Sequence, residues 1–148
     1  MKLTQLVVSI ENSPERLFEV TNALGEAGIN LRALNLVDTG AFGQLRLLVS
    51  DVAKARKILM TLHMPAFENE VVAVKIPDEP NSLANLLKPL TKAGVNVVFM
   101  YAFCGFSEHS AVMIFRFNDN DRAVELLQKN GSVLLDKQAF GMLDANGR

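Results

Sequence analysis

Two stretches decide the fold: Glu11-Asn12-Ser13-Pro14-Glu15-Arg16-Leu17, followed by Gly28-Ile29-Asn30, and Pro77-Asp78-Glu79-Pro80-Asn81-Ser82-Leu83, followed by Gly94-Val95-Asn96. The second repeats the first at constant spacing. Ile10 and Ile76, Pro14 and Pro80, Leu24 and Leu90, Gly28 and Gly94, and Asn30 and Asn96 all stand 66 residues apart. After a two-residue insertion near Phe106 the match resumes at an offset of 68, pairing Val49 with Phe117, Asp51 with Asp119, Ala55 with Ala123 and Leu59 with Leu127. So long a period describes two domain-sized copies, not a solenoid of short repeats.

Within a copy the hydrophobic period switches between two and 3.6. Residues 4–10 are rich in β-branched side chains and bounded by polar residues and Pro14, which reads as a strand. Ser13 is a natural N-cap and Pro14 suits the first helical position, where a missing N–H costs nothing. Leu17, Val20, Leu24 and Ala27 then share one helical face, and Gly28 supplies the stop. Strands over 30–38 and 42–50 follow, joined through Thr39, Gly40 and Ala41; Asp51 caps a second helix whose apolar face is Val52, Ala55, Ile58, Leu59 and Leu62. Residues 67–76 form a last strand that runs on into the first strand of copy two. Copy two repeats the order with a helix over 80–93, strands over 96–104 and 110–117, a helix over 119–129 and a final strand over 132–140.

Lone strands and amphipathic helices cannot bury their apolar faces separately. The pattern therefore predicts an α+β fold of two tandem ferredoxin-like βαββαβ sandwiches, each an antiparallel sheet with its helices on one face. Boundaries fall at 1–72 and 73–140, with a tail over 141–148. Pro89 lies inside a predicted helix and implies a kink or an early break. One sheet face of each sandwich has no helix over it, so its strands should alternate apolar with polar. Residues 30–38 nearly do so, Leu34 and Leu36 against Arg32 and Asn35. Residues 97–104 do not: Val98, Met100 and Ala102 point one way, Val97, Phe99, Tyr101 and Phe103 the other. An apolar face of that size implies a cover, either a loop or tail of the chain or a second sheet, and the latter predicts a homodimer.

Composition narrows the function. The 148 residues are 49% hydrophobic and 21% charged, which suits a packed core. A net charge of −1 without a basic cluster argues against nucleic-acid or anionic-lipid partners. A single cysteine, Cys104, excludes an intrachain disulfide and any Cys-x-x-Cys site. No apolar run approaches a membrane span and the first residues lack a signal-peptide pattern, so a cytoplasmic protein is expected.

The repeated stretches resemble the ACT domain, a regulatory amino-acid-binding module, and the chain from about Leu3 to Phe140 resembles proteins made of two ACT domains alone. The resemblance implies an effector site at the interface between ACT units, lined by the loop after the first strand and the turn entering the second. In copy one these are Asn12, Ser13, Pro14 and Leu17 with Gly28, Ile29 and Asn30; in copy two they are Asp78, Glu79, Pro80, Asn81 and Leu83 with Gly94, Val95 and Asn96. Helix-start N–H groups suit a carboxylate, and Asn or Asp oxygens suit an ammonium group. Ordinary capping and an ordinary helix-to-strand turn account for the same residues equally well. Both copies depart from the family where a glycine usually follows the proline: Glu15 stands there in copy one and Asn81 in copy two. Glutamate repels a carboxylate, whereas asparagine is neutral and tolerates unusual backbone angles, so copy two, which also holds Asp78, is the better site.

Other constellations are weak. His63 and His109 have no second ligand at metal spacing, Cys104 reads as a small buried hydrophobe, and no phosphate loop or nucleophile motif is present. No cofactor or catalysis is expected. Base stacking on Phe99, Tyr101 and Phe103 lacks supporting positive charge, and an acylphosphatase-like enzyme would need an arginine in the loop after the first strand. A regulatory partner of a separate amino-acid biosynthetic enzyme, as with the small subunits of acetolactate synthase, and a ligand-free interaction module are the remaining alternatives to stand-alone sensing.

Overall fold

The computed structural model describes residues 1–11 and 13–143, and of 104–106 the backbone alone. The elements are β1 (Leu3–Glu11), α1 (Pro14–Glu26), β2 (Leu31–Asp38), β3 (Phe42–Val49), α2 (Val52–Thr61), β4 (Ala66–Pro77), α3 (Ser82–Lys92), β5 (Val97–Ser107), β6 (Ser110–Phe117), α4 (Asn120–Lys129) and β7 (Val133–Leu135). Helix starts follow the sequence signals. Ser13 Oγ accepts from Arg16 N–H, Asp51 from Lys54 N–H and Asp119 from Arg122 N–H, which satisfies donors that the first turn cannot use internally.

Three expectations need correction. The second copy's first helix begins at Ser82, not at 80, because Asn81 is left-handed at φ 69°. That helix does not break at Pro89: it runs through to Lys92, and Ala93 N–H donates to the Pro89 carbonyl. The final strand is short, Val133–Leu135, because the chain leaves the sheet and turns from Lys137 onward.

The chain forms two compact units, Thr4–Asn69 with the segment from Lys137 on, and Glu70–Asp136 with Met1–Leu3. In the first, strands lie in the order β4-β1-β3-β2; in the second, β7-β4-β6-β5. Numbered within each copy, both orders read fourth, first, third, second, so the sequence repeat is a repeat of topology. Strand β4 ends one copy and begins the next. Its opening residues close the first sheet: Ser9 N–H donates to the carbonyl of Pro65, just before the strand, and Gln5 Nε2 to Asn69 Oδ1 within it. Its later residues pair antiparallel with β6 and β7, Val74 facing Met113 on one side and Leu134 on the other. The two extra residues near 106 are absorbed where the β5–β6 register shifts, between Cys104 and Ser107.

Each unit has its own core between sheet and helices. In the first, Leu6, Val8 and Ile10 of β1 and Leu45, Leu47 and Val49 of β3 meet Val20 and Leu24 of α1 and Ala55 and Leu59 of α2. In the second, Val72, Val74, Ile76, Met113, Phe115 and Phe117 meet Leu86, Leu90, Ala123 and Leu127. Part of each helix-free face is buried as well. Gln5, Val7 and Leu48 in the first unit, and Val71, Ala73, Val112 and Ile114 in the second, are at most 1% exposed. Phe99, Tyr101 and Phe103 are half-buried, and the first two rings stack 6.4 Å apart. A register shift between Val97 and Phe99 turns Val97 toward the helix side instead, where it packs on the core. On the edge strands, Leu34, Leu36, Val98 and Met100 stay about half exposed, since no neighbouring strand shields them.

Residues 1–3 and 137–143 are tied down. Residues 137–143 fold as a strap on the first unit, with Phe140 and Met142 buried. Arg32 Nε donates to the Gly141 carbonyl (3.1 Å) and Leu143 N–H to the Ser50 carbonyl (2.8 Å). Gly141 has φ 63°, and a Cβ there would come within 2.9 Å of the Arg32 guanidinium. In the second unit the Lys2 ammonium bridges Asp121 (2.8 Å) and Glu70 (3.2 Å). The hydrogen bond from Lys2, and then its charge, hold the Asp121 carboxyl below the usual aspartate range. Bonds to Asp121 and Glu70 raise Lys2.

Two outcomes follow. A lowered carboxyl stabilises the fold above its unfolded pKa and loses that contribution as pH falls through the folded value; a raised lysine loses its contribution as pH rises through the folded value. Since Asp121 is exposed and Lys2 partly so, the effect is small and screened by salt. An NMR titration should place the Asp121 midpoint below that of an ordinary aspartate, and Lys2→Met should return it. In urea unfolding, Phe115→Ala should cost about 3–5 kcal/mol, whereas Phe18→Ala on an exposed helix face should stay within about 0.5 kcal/mol.

Candidate functional site

The loop from β4 to α3 is set by backbone conformation. Pro80 and Asn81 are the central residues of a turn closed by Ser82 N–H on the Glu79 carbonyl (3.4 Å), and Asn81 takes φ 69° and ψ −1°. Those angles are the third-position requirement of a type II turn, which admits glycine or asparagine and resists other side chains. The neutral residue that departs from the family's glycine thus reproduces the glycine's conformation. The turn places Asn81 at the N-cap, but its side chain makes no capping bond. The first bond of α3 is made by Asn85 N–H to the Asn81 carbonyl. The N–H groups of Leu83 and Ala84 therefore precede the helical ladder and have no side-chain cap. Asp78 is exposed, and its N–H is fixed by the carbonyl of His109 (2.9 Å), in the β5–β6 turn. That turn carries Glu108 and His109, 3.3 Å apart and nearly fully exposed. Sequence reasoning did not bring these two residues to the loop. The signal was available in the insertion near Phe106, which belongs to this hairpin.

Copy one is built differently at the matching position. Glu15 cannot take a left-handed conformation cheaply, and α1 starts at once, at Pro14, with Ser13 Oγ on Arg16 N–H (3.4 Å). The cap is occupied and Glu15 adds negative charge to the same turn. Arg16 Nη1 pairs with Glu19 (2.7 Å), while its Nε is buried and makes no hydrogen bond among the described residues; this donor was not among the expected site residues. Asn12 lies outside the described residues.

At the other end of each helix the copies agree. Gly28 and Gly94 are left-handed at φ 77° and 71°, and the next residues, Ile29 and Val95, donate back to Leu24 and Leu90 (both 3.0 Å). Ile29 is buried in its core, and Leu17, Leu83 and Val95 pack against theirs, so these expected site residues are held by packing. Asn30 and Asn96 are exposed. Asn30 N–H donates to Ser50 Oγ and its carbonyl accepts from Ser50 N–H; Asn96 N–H donates to Asn118 Oδ1 and its carbonyl accepts from Asn118 N–H, Ser50 and Asn118 being matched positions 68 residues apart. The side chains of Asn30 and Asn96 make no hydrogen bond among the described residues.

The expected set therefore splits into two groups per copy. Helix α1 has 13 residues and α3 has 11, so roughly 16–20 Å separates the loop at one helix end from the turn at the other. No copy brings both groups to one place by itself. Among the described residues, no cluster of His, Cys, Asp or Glu could hold a metal, and no helix is long and apolar enough to cross a membrane.

Comparison with known proteins places this geometry. A family model described as an ACT domain pair matches residues 1–143. The chain superposes on a crystal structure of a protein from Bacteroides thetaiotaomicron with a TM-score of 0.90 at 34% identity, covering 97% of this chain and 98% of that one. It also resembles the regulatory subunits of aspartate kinase from Thermus flavus (TM-score 0.64, 16% identity, 93% and 92% covered) and, in its ligand-free form, Thermus thermophilus (0.60, 16%, 86% and 91%). At that identity the likeness is one of fold. A search of curated proteins finds no match.

The two helix starts depend on different properties, a capping oxygen at Ser13 and a left-handed backbone at Asn81. Ser13→Ala should lose about 0.5–1 kcal/mol with its cap. Asn81→Gly should be near neutral, while Asn81→Ala should cost about 1 kcal/mol through its left-handed backbone. Equal costs for the two Asn81 variants in chemical denaturation would contradict the turn.

Proposed function

The chain belongs to the ACT domain family as a domain pair, and from that premise we propose that it binds an amino acid and acts by regulation, not by catalysis. The observation that carries this reading is the left-handed Asn81, which leaves the first turn of α3 uncapped beside Asp78. Helix-start N–H groups favour a negative charge, and here no side chain takes their place. The α-carboxylate of the ligand sits on the N–H groups of Leu83 and Ala84, and its ammonium group on the Asp78 carboxylate. Glu79 and Pro80 shape the approach.

Since Asn96 lies a helix length away from this loop, the second wall is supplied by the Gly94–Asn96 turn of an ACT unit in another chain. The functional form is thus a cytoplasmic homodimer with the ligand at its seam. Copy one is a degenerate site, since Ser13 and Glu15 already fill its helix start with oxygen and negative charge. Binding that favours the assembled form is the means of control, because a ligand shifts only an equilibrium whose two states it distinguishes.

A thermal-shift screen of the common amino acids tests this. At a hundredfold excess over Kd the ligand adds about 2.7 kcal/mol, a rise of roughly 5–10 °C for a chain of this size. Asp78→Ala and Asn96→Ala should each abolish the shift, and Ser13→Ala should leave it. If no amino acid moves the melting temperature, the reading fails.

A further inference from the structure

The geometry points to a second small-molecule site, unrelated to the helix-start loops, for a small aliphatic carboxylate in the first unit. A cavity of about 330 Å³ lies there between the start of α2, the outer ends of β1 and β4, and the C-terminal strap. That volume is at the lower bound of ligand pockets and fits a molecule of a few carbons. Its polar lining is Arg56, Glu68, Lys137 and Thr4, and Met142 supplies an apolar wall. Arg56 Nη1 and Glu68 Oε1 pair at 3.0 Å, which fixes the guanidinium and neutralises the one carboxylate in the lining. Lys137 has no ion pair among the described residues, so the cavity carries one uncompensated positive charge. The Thr4 side chain has no hydrogen-bond partner among the described residues either.

A carboxylate is the group that completes this set. It accepts from the Lys137 ammonium, from the remaining Arg56 N–H groups and from the Thr4 hydroxyl, and its aliphatic chain lies on Met142. The lining is positioned before any ligand arrives. Arg56 is held by Glu68, and the strap that carries Lys137 and Met142 is pinned by Met142 N–H to the Lys137 carbonyl (2.9 Å), Arg32 to Gly141 and Leu143 to Ser50. Copy two has no counterpart, because the strap belongs to the first unit alone. This site stands apart from the proposed amino-acid site: it shares no residue with it, and either can fail without the other.

Isothermal titration of the full chain with butyrate, and with inorganic phosphate as a charge-only control, tests the assignment. Butyrate should bind with a millimolar or tighter Kd, and Lys137→Met should weaken it by about tenfold or more, as loss of one partner of a charge-assisted contact does. Ala53→Trp, which fills the cavity from the exposed face of α2, should abolish binding. Asp78→Ala and Asn96→Ala should leave it intact. Absence of butyrate binding, phosphate binding of equal strength, or full butyrate affinity in either Lys137→Met or Ala53→Trp would overturn the proposal.

Discussion

One strand has to serve two sheets. The twelve residues of β4 close the first sheet at one end and open the second at the other, and a strand's side chains alternate with a period of two. From Val71 to Val74 four consecutive residues are fully buried, so there the strand is apolar on both faces, not half-wetted. This is the composition expected of a strand with something packed on each side. Its neighbours are set accordingly: β1 lies beside its start, and β6 and β7 pair with its later half.

The repeat, the α+β class and the element order were legible because they rest on local signals: proline and serine before a helix, glycine after it, and apolar residues at helical or alternating spacing. The interruptions were less so. The period of 3.6 continued through Pro80 and Asn81, yet the helix waits until Ser82, because a left-handed asparagine is a tertiary choice that spacing alone does not force. Pro89 implies a kink or an early break from sequence, but it sits in the last turns of α3, where only the bond to the Asn85 carbonyl is lost and the helix runs on to Lys92. The strap was illegible. Residues 132–140 have the apolar content of a strand, and nothing local says that the chain leaves the sheet after Leu135.

The candidate site was legible in part for the same reason. Four of its fifteen expected residues, Leu17, Leu83, Ile29 and Val95, are explained by packing, and two more, Gly28 and Gly94, by helix termination. What distinguishes the copies is a single position after a shared proline. Glutamate in one copy keeps the chain helical and its cap closed; asparagine in the other bends it and leaves donors uncommitted. A duplicated scaffold has in this way two chemically unequal loops over cores built at matching positions.

The exchange of chain ends has a consequence for biosynthesis. The first unit includes residues from Lys137 onward, among them the buried Phe140 and Met142. A ribosome releases the chain from its N-terminus, and ordinary tandem domains fold in that order as they emerge. Here the domain translated first is the one that must wait, its packing completed only when translation reaches the strap.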